Sequence, residues 1–148
     1  MKQIFQSIKN GETFFIDTPS PRIKANEVLI KTEYSLISSG TERMLVDFGK
    51  GTILEKAKQQ PDKLKEVINK ARTDGIFSTV DAVRNKLNEP LPLGYCNVGK
   101  IIEIGDSVKN FKIGDRVVSN GPHAEIVSVS EMLCAKIPSN VISQEACF

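Results

Sequence analysis

The hydrophobic and polar positions of this chain follow two different periods. Near the N-terminus, and again after residue 93, short β-branched runs are separated by Gly, Asp or Asn, as in strands joined by turns. Between them, apolar residues recur every three or four positions among charged ones, which predicts helices. The pattern therefore predicts a mainly β (α+β) domain with a helical insertion at about 42–88.

The strand pattern predicts a barrel or a sandwich, because the predicted strands are short and regularly interrupted by turn residues. The predicted strands cover residues 4–8, 13–17, 27–37, 98–104, 116–119, 124–129 and 133–137. Asn10 and Gly11 mark a hairpin turn between the first two. The alternation in the third strand places Val28, Ile30 and Tyr34 on one face, together with Thr32.

Start signals divide the predicted insertion into separate helices. Thr52 and Glu55 have the spacing of a capping box, and Pro61 stands where a helix begins. Ser78 or Thr79 is expected to open the last helix. A stripe at helical spacing favours core packing over a free binding groove; its members are Leu64, Val67, Ile68 and Ala71.

Composition and charge exclude several classes of protein. The 148 residues carry a net charge of +2 and no Trp, so we expect no nucleic-acid partner. No apolar run reaches the roughly 20 residues of a membrane helix, and the N-terminus lacks a signal-peptide pattern, so we expect no membrane association and a cytoplasmic location. Residues 143–148 have the pattern of a helix that has only begun, which predicts a piece of a longer chain.

Four motifs stand in a recognisable order. They are L-G-Y-C-N-V-G at 93–99, F-K-I-G-D-R-V at 111–117, H-A-E at 123–125 and A-K-I-P at 135–138. This order resembles the GroES-like catalytic domain of the medium-chain dehydrogenase/reductase superfamily, which is alcohol dehydrogenase-like. The resemblance implies that residues 1–148 form one substrate-side domain, a partly open β-barrel. It also implies NAD(P) as cofactor, bound by a C-terminal Rossmann domain whose G-x-G-x-x-G fingerprint this sequence lacks.

A narrower resemblance comes from three other segments. S-S-G-T-E-R at 38–43, Q-Q-P-D-K at 59–63 and L-G-Y-C-N at 93–97 are similar to bacterial bi-domain oxidoreductases of surface-polysaccharide biosynthesis. That likeness implies a small-molecule substrate of the sugar-derivative class. A domain cut from such an enzyme is expected to be a monomer or a dimer.

The chain departs from the zinc-dependent members at their ligand positions. Ser39 stands where they place a cysteine, Tyr95 replaces their histidine, and Cys96 replaces the neighbouring glutamate. A catalytic zinc needs three protein ligands from Cys, His or carboxylate, and serine and tyrosine are poor substitutes. We therefore expect no metal site and no zinc.

The resemblance implies a cofactor segment that consists of Ser39, Gly40 and Thr41. These residues would lie beside the nicotinamide ring, with the Thr41 hydroxyl relaying a proton. The spacing of Ser39 and Glu42 is also that of a capping box for a short helix, and both roles can hold at once.

A second implied segment consists of Tyr95, Cys96 and Asn97. These residues are candidates for substrate binding, and the Tyr95 phenol is a catalytic candidate because it could donate a proton. The alternatives are that Tyr95 and Cys96 are packing residues and that Asn97 caps a turn. His123 is the chain's single histidine, and a structural role is favoured for it over proton transfer.

Together these observations predict the N-terminal, substrate-side domain of a zinc-independent NAD(P)-dependent oxidoreductase. Hydride would pass between a nicotinamide and a carbonyl or alcohol carbon, or a conjugated double bond. The domain alone is expected to be inactive. The alternative is a stand-alone GroES-like binding or interaction module without catalytic activity.

Overall fold

A computed structural model describes residues 1–148, apart from the side chain of Asp74. The backbone forms two compact units. The first, called the β unit below, consists of Met1–Ile4, Phe15–Glu42 and Pro92–Phe148. The second, called the helical unit, consists of Phe5–Phe14 and Arg43–Leu91. Most of the predicted insertion at 42–88 therefore belongs to one unit, together with the tip of the first hairpin.

The strands and helices follow the predicted order. The strands are β1 (Lys2–Gln6), β2 (Thr13–Asp17), β3 (Glu27–Ser35), β4 (Leu91–Pro92), β5 (Asn97–Ile104), β6 (Arg116–Ser119), β7 (Ile126–Ser130) and β8 (Cys134–Lys136). The helices are α1 (Thr41–Lys50), α2 (Ile53–Gln59), α3 (Pro61–Asp74) and α4 (Ile76–Asn88). The predicted ends shift by a few residues, and β4 is an element that the sequence pattern did not predict. Among the described residues, no helix is long and apolar enough to cross a membrane.

The main sheet is antiparallel and open. Its five strands lie in the order β7-β3-β5-β6-β8, and a second sheet has the order β2-β1-β4. The core of the main sheet includes β-branched residues from its three central strands and from the edge strand β7: Val28, Ile30, Ile101, Val117 and Val127. This architecture confirms the predicted mainly β domain with an unclosed sheet and a helical insertion.

The predicted face of β3 is correct only for the first half of the strand. Val28 and Ile30 are fully buried, whereas the Tyr34 side chain is 42% exposed. The register with β5 shifts between Thr32 and Tyr34, and such a bulge changes the face that the following residues present. Leu29 is also buried, and the register shifts between Leu29 and Ile30 as well, so β3 does not alternate regularly over its length.

The helix start signals are confirmed at two places and wrong at a third. The capping box of Thr52 and Glu55 is present, and Pro61 occupies the first turn of α3. The last helix begins at Ile76, so neither Ser78 nor Thr79 opens it. Both hydroxyls lie inside the helix and donate to the carbonyl of Gly75, the residue that directly precedes the helix. These bonds satisfy the two hydroxyls without a capping role.

The sequence predicted that the apolar stripe of α3 packs in a core, and this prediction is wrong. Leu64 and Ile68 are 42% and 45% exposed. Val67 and Ala71 are only half-buried. Helix α3 packs on α4 and α2, and two helical neighbours cover only part of a stripe that is 100° wide or more.

The hairpin tip and the end of α1 approach each other very closely within the helical unit. A Cβ added to Gly49 would lie 2.7 Å from the Cα of Gly11 and 2.8 Å from the Ser7 carbonyl oxygen. Gly11 also has a positive φ of 74°, which the hairpin turn requires. Glycine at both positions is therefore a condition for this contact.

The buried ammonium group of Lys56 joins these two parts of the helical unit. Its Nζ donates to the carbonyls of Ile8 (2.8 Å), Lys9 (3.1 Å) and Gly49 (2.8 Å). An ammonium has three donors, so all of them are satisfied although Lys56 is only 8% exposed. The Gly49 carbonyl belongs to the last turn of α1, where a positive charge also interacts favourably with the helix dipole.

We expect Lys56→Met to destabilise the protein by about 2 kcal/mol, because methionine fills the space but leaves these carbonyls without a donor. Urea unfolding of the variant measures the change. Lys58→Met is the matched control, since Lys58 lies on the same helix and is exposed. Equal stability of the two variants would show that the ammonium contacts contribute nothing.

The turn before β6 is held by a carboxylate. Asp115 accepts a hydrogen bond from the Lys112 N–H at 2.9 Å and pairs with the Lys136 ammonium at 2.9 Å. The backbone hydrogen bond, followed by the Lys136 contact, lowers the pKa of Asp115 below its ordinary value. A group with a lowered folded pKa stabilises the fold above its unfolded pKa and loses that contribution as the pH falls through the folded value.

Asp115→Ala should therefore cost about 1 kcal/mol of unfolding free energy at pH 7. The cost should begin to shrink as the pH falls below about 4, the unfolded pKa, and should disappear as the pH falls through the lower folded pKa of Asp115, where the wild-type carboxylate becomes protonated. Denaturant titrations at a series of pH values measure this difference. Asp106→Ala is the control, because Asp106 stands in a second Gly-Asp pair and is exposed; a pH-independent difference for Asp115→Ala would contradict the prediction.

Candidate functional site

The predicted cofactor segment is an exposed loop between β3 and α1. Ser39, Gly40 and Thr41 are all exposed, and Thr41 is the first residue of the helix. No atom lies within 4 Å of the position that a Gly40 side chain would occupy. The loop therefore has open space beside its backbone at Gly40.

The capping arrangement at this loop differs from the prediction. The Ser38 hydroxyl, and not that of Ser39, accepts from the Thr41 N–H at 3.4 Å. Glu42 Oε1 accepts from the Ser38 N–H at 2.9 Å. The predicted box of Ser39 and Glu42 is wrong by one residue, so the Ser39 hydroxyl is not used as the cap.

The second predicted segment lies next to the first along the backbone. The Leu36 N–H donates to the Cys96 carbonyl at 3.1 Å, shortly before the cofactor loop and just after Tyr95. The Tyr95 side chain is 49% exposed. Gly94, which precedes it, has a φ of 94°. The structure thus brings the Ser39–Thr41 loop and the Tyr95 segment to the same end of the β unit.

Cys96 is half-buried and faces another cysteine. Its Sγ donates to the carbonyl oxygen of Cys147 at 3.4 Å. Burial, together with the neighbouring Cys96, raises the pKa of the Cys147 thiol. These contacts are those of a packing residue, and the substrate-binding role of Cys96 stays a prediction.

Asn97 is buried inside the main sheet and begins β5, so it does not cap a turn as was favoured. Its side chain is fully buried. Nδ2 donates to the Thr32 hydroxyl at 2.6 Å, while Oδ1 has no partner among the described residues. Oδ1 is therefore shielded from solvent together with the rest of the side chain, and the substrate-binding role of Asn97 stays a prediction.

His123 joins the polar groups at this end of the β unit. It is 5% exposed, and its Nδ1 lies 2.8 Å from the Ser35 hydroxyl. Its Nε2 lies 3.1 Å from Oε2 of Glu42, which is 7% exposed. An ionised carboxylate only accepts hydrogen bonds, so the Nε2 proton then points at Glu42 and Nδ1 is left for Ser35. Burial among these partners fits the favoured structural role.

Sequence reasoning missed Ser35 altogether and treated Glu42 only as a helix cap. The signal for Glu42 was a carboxylate directly after the predicted cofactor segment. Its partner is 81 residues away along the chain, and such a pairing has no local pattern.

Two cavities lie within the units. One, of about 320 Å³ in the β unit, is lined by Thr32, Ser35 and His123, among others. The other, of about 410 Å³ in the helical unit, has mainly apolar walls that include Met44 and Phe48. None of the predicted site residues lines either cavity.

No group of three His, Cys, Asp or Glu side chains stands close enough to hold a metal ion among the residues that the structure describes. The positions that match zinc ligands hold Ser39, Tyr95 and Cys96. The absence of zinc stays a prediction.

Comparison with known proteins points to one family. The sequence profile of the alcohol dehydrogenase GroES-like domain matches residues 66–139, which is half of the chain. The chain is 39% identical over 67 residues to the mitochondrial NAD(P)H oxidoreductase RTN4IP1 of Dictyostelium discoideum. That match includes 41% of this chain and 19% of the relative.

Solved structures show the same fold. The quinone oxidoreductase of Coxiella burnetii superposes with a TM-score of 0.65 at 24% identity, over 99% of this chain and 40% of that one. The Escherichia coli quinone oxidoreductase complexed with NADPH gives 0.63 at 15% identity, over 99% and 36%. The chain thus spans about two-fifths of the length of these enzymes, and the GroES-like fold predicted from the sequence is confirmed.

Proposed function

This chain belongs to the alcohol dehydrogenase GroES-like domain family of the medium-chain dehydrogenase/reductase superfamily, and from that premise we propose that it is the substrate-side domain of a zinc-independent, NAD(P)-dependent oxidoreductase. The reaction is hydride transfer between a nicotinamide and a carbonyl or alcohol carbon, or a conjugated double bond. A nicotinamide supplies the hydride when it is bound, and the protein orients the reacting groups.

The observation that carries the proposal is the meeting of two segments at one end of the β unit. The Ser39–Thr41 loop is exposed and has free space at Gly40. The backbone bond between Leu36 and Cys96 joins the residues that lead into this loop to the segment that contains the half-exposed Tyr95, which supports the proposal. In the proposal, Ser39, Gly40 and Thr41 contact the nicotinamide, and the hydroxyls of Thr41 and Tyr95 are the candidates for proton transfer.

Relatives support the choice of cofactor. The Dictyostelium relative is an NAD(P)H oxidoreductase, and the Escherichia coli quinone oxidoreductase was solved with NADPH. The part of the enzyme that binds the dinucleotide is proposed to be a C-terminal Rossmann domain of the same polypeptide, so the 148-residue chain alone is inactive.

The finer assignment rests on the sequence motifs. The S-S-G-T-E-R, Q-Q-P-D-K and L-G-Y-C-N segments support a place among bacterial bi-domain oxidoreductases of polysaccharide biosynthesis. The proposed substrate is accordingly a small molecule of the sugar-derivative class, handled in the cytoplasm by a monomer or a dimer. Ser39 and Tyr95 at the ligand positions support catalysis without zinc.

The first test is to read the source gene beyond the Phe148 codon and to titrate the complete protein with NADH and NADPH. We expect a Rossmann fingerprint downstream and saturable quenching or enhancement of nicotinamide fluorescence. Metal analysis of the same preparation should find far less than one zinc per chain. A stop codon after Phe148 would favour a stand-alone GroES-like module, and one zinc per chain would overturn the zinc-independent mechanism.

The proton-transfer role of Thr41 is tested in the complete protein with a panel of aldehydes and α,β-unsaturated ketones as hydride acceptors. Thr41→Val should lower kcat by about 100-fold, because it removes the hydroxyl and keeps the shape. Thr41→Ser should retain most of the rate. Equal rates for the Val and Ser variants would exclude Thr41 from proton transfer.

A further inference from the structure

The proposed site contains two buried polar side chains that the predicted chemistry does not use. Glu42 and His123 are both more than nine-tenths buried, and neither touches the open space beside Gly40. We propose that Glu42 and His123 are positioning residues that hold the Ser39–Thr41 loop and the Tyr95 segment in one working arrangement. This inference rests on the proposed function.

The carboxylate of Glu42 holds the loop from both of its ends. Oε1 accepts from the Ser38 N–H at 2.9 Å, and Oε2 lies 3.1 Å from His123 Nε2. Ser38 directly precedes the loop and Glu42 directly follows it. A single side chain thus sets the spacing of the residues that flank Ser39, Gly40 and Thr41.

His123 fixes the other segment by contact and by its backbone. Its N–H donates to the Leu93 carbonyl at 2.8 Å, and the Ile4 N–H donates to its carbonyl at 2.9 Å. A Cβ on Gly94 would lie 2.6 Å from the backbone nitrogen of His123 and 2.7 Å from its ring Cγ. The ring therefore packs directly on the residue that precedes Tyr95.

The second ring nitrogen of His123 contacts the strand that precedes the loop. Nδ1 lies 2.8 Å from the hydroxyl of Ser35, the last residue of β3 before the loop. The imidazole is thus bonded to the strand that enters the loop and to the helix that leaves it. Because the ring is held at both nitrogens and the backbone at both sides, a change at Glu42 or His123 moves the loop relative to Tyr95.

The test uses two substitutions of Glu42 with opposite expectations, made in the complete protein. Glu42→Gln keeps an oxygen for Ser38, and its amide can donate to His123 Nε2 when the imidazole takes the other tautomer, in which Nδ1 donates to the Ser35 hydroxyl. This variant should therefore retain loop order and rate. Glu42→Asp keeps the charge but is one methylene shorter, so it cannot reach both partners. A displacement of about 1 Å at a reacting group costs about 100-fold in rate, and this is the loss of kcat expected for Glu42→Asp.

Loop order is read separately by hydrogen exchange of the peptide that contains residues 38–42. We expect the amides of Glu42→Asp to exchange about tenfold faster than in the wild-type protein, and those of Glu42→Gln to remain close to it. The control is Val117→Ala, which weakens the core of the same unit away from the loop. It should lower the melting temperature and leave both kcat and the exchange of the loop unchanged.

The outcomes separate this proposal from the proposed function. Wild-type protein that binds neither NADH nor NADPH would refute the proposed function, while the exchange data would still decide whether Glu42 orders the loop. The positioning role is overturned if Glu42→Asp exchanges like the wild-type protein, if it loses loop order but keeps its kcat, or if Val117→Ala produces the same losses.

Discussion

The contact between Glu42 and His123 is the interaction on which the shape of the candidate site depends. Removing water from a carboxylate and an imidazole is costly, and the cost is offset only when the remaining polar atoms also find partners. Here the second carboxylate oxygen accepts from Ser38, and the second ring nitrogen meets Ser35. Removing one partner of such a buried pair commonly costs about 3–5 kcal/mol of stability. A substitution of only one of the two residues is therefore strongly unfavourable.

The helical unit handles a buried charge in another way. Among the residues that the structure describes, Lys56 has no acidic partner and is instead hydrogen-bonded to the carbonyls of Ile8, Lys9 and Gly49. These acceptors come from a hairpin turn and from a helix end, two places where the backbone leaves carbonyls without a regular partner. One ammonium therefore replaces the separate caps that each of these places would otherwise need. Each unit thus contains buried ionisable groups, and the pair of Glu42 and His123 belongs to the unit that carries the proposed site.

Local periodicity was sufficient to predict the strands, the helical insertion and the turn at Asn10-Gly11, because each depends on neighbours in sequence. The GroES-like fold followed from four motifs in order. What could not be predicted depends on tertiary pairing. The bulge after Thr32 turned Tyr34 to another face. The exposed positions Leu64 and Ile68 have the spacing of a core stripe, but the helical unit lacks enough neighbours to cover them.

The same difference between local pattern and tertiary pairing explains which features of the candidate site could be predicted from the sequence. The resemblance named Ser39, Gly40, Thr41 and Tyr95, and the structure brings their two segments together. The structural role expected for the single histidine stays a prediction, and its partners could not be predicted because Glu42 is 81 residues away along the chain. A glutamate at a helix start has a ready local explanation as a cap. In this fold the Glu42 carboxylate accepts from the Ser38 N–H at the helix start and also contacts the buried ring of His123.

The contact between Gly94 and His123 also limits how this sequence can evolve. A side chain at position 94 would overlap the backbone nitrogen of His123 as well as its imidazole, and the φ of 94° also favours glycine, so this glycine is needed whatever side chain stands at 123. Losing the histidine first would leave the Glu42 carboxylate buried without its ring partner. Positions 42 and 123 should therefore change together among relatives while position 94 stays glycine, and neighbouring exposed positions such as 39 and 95 vary independently to alter the chemistry.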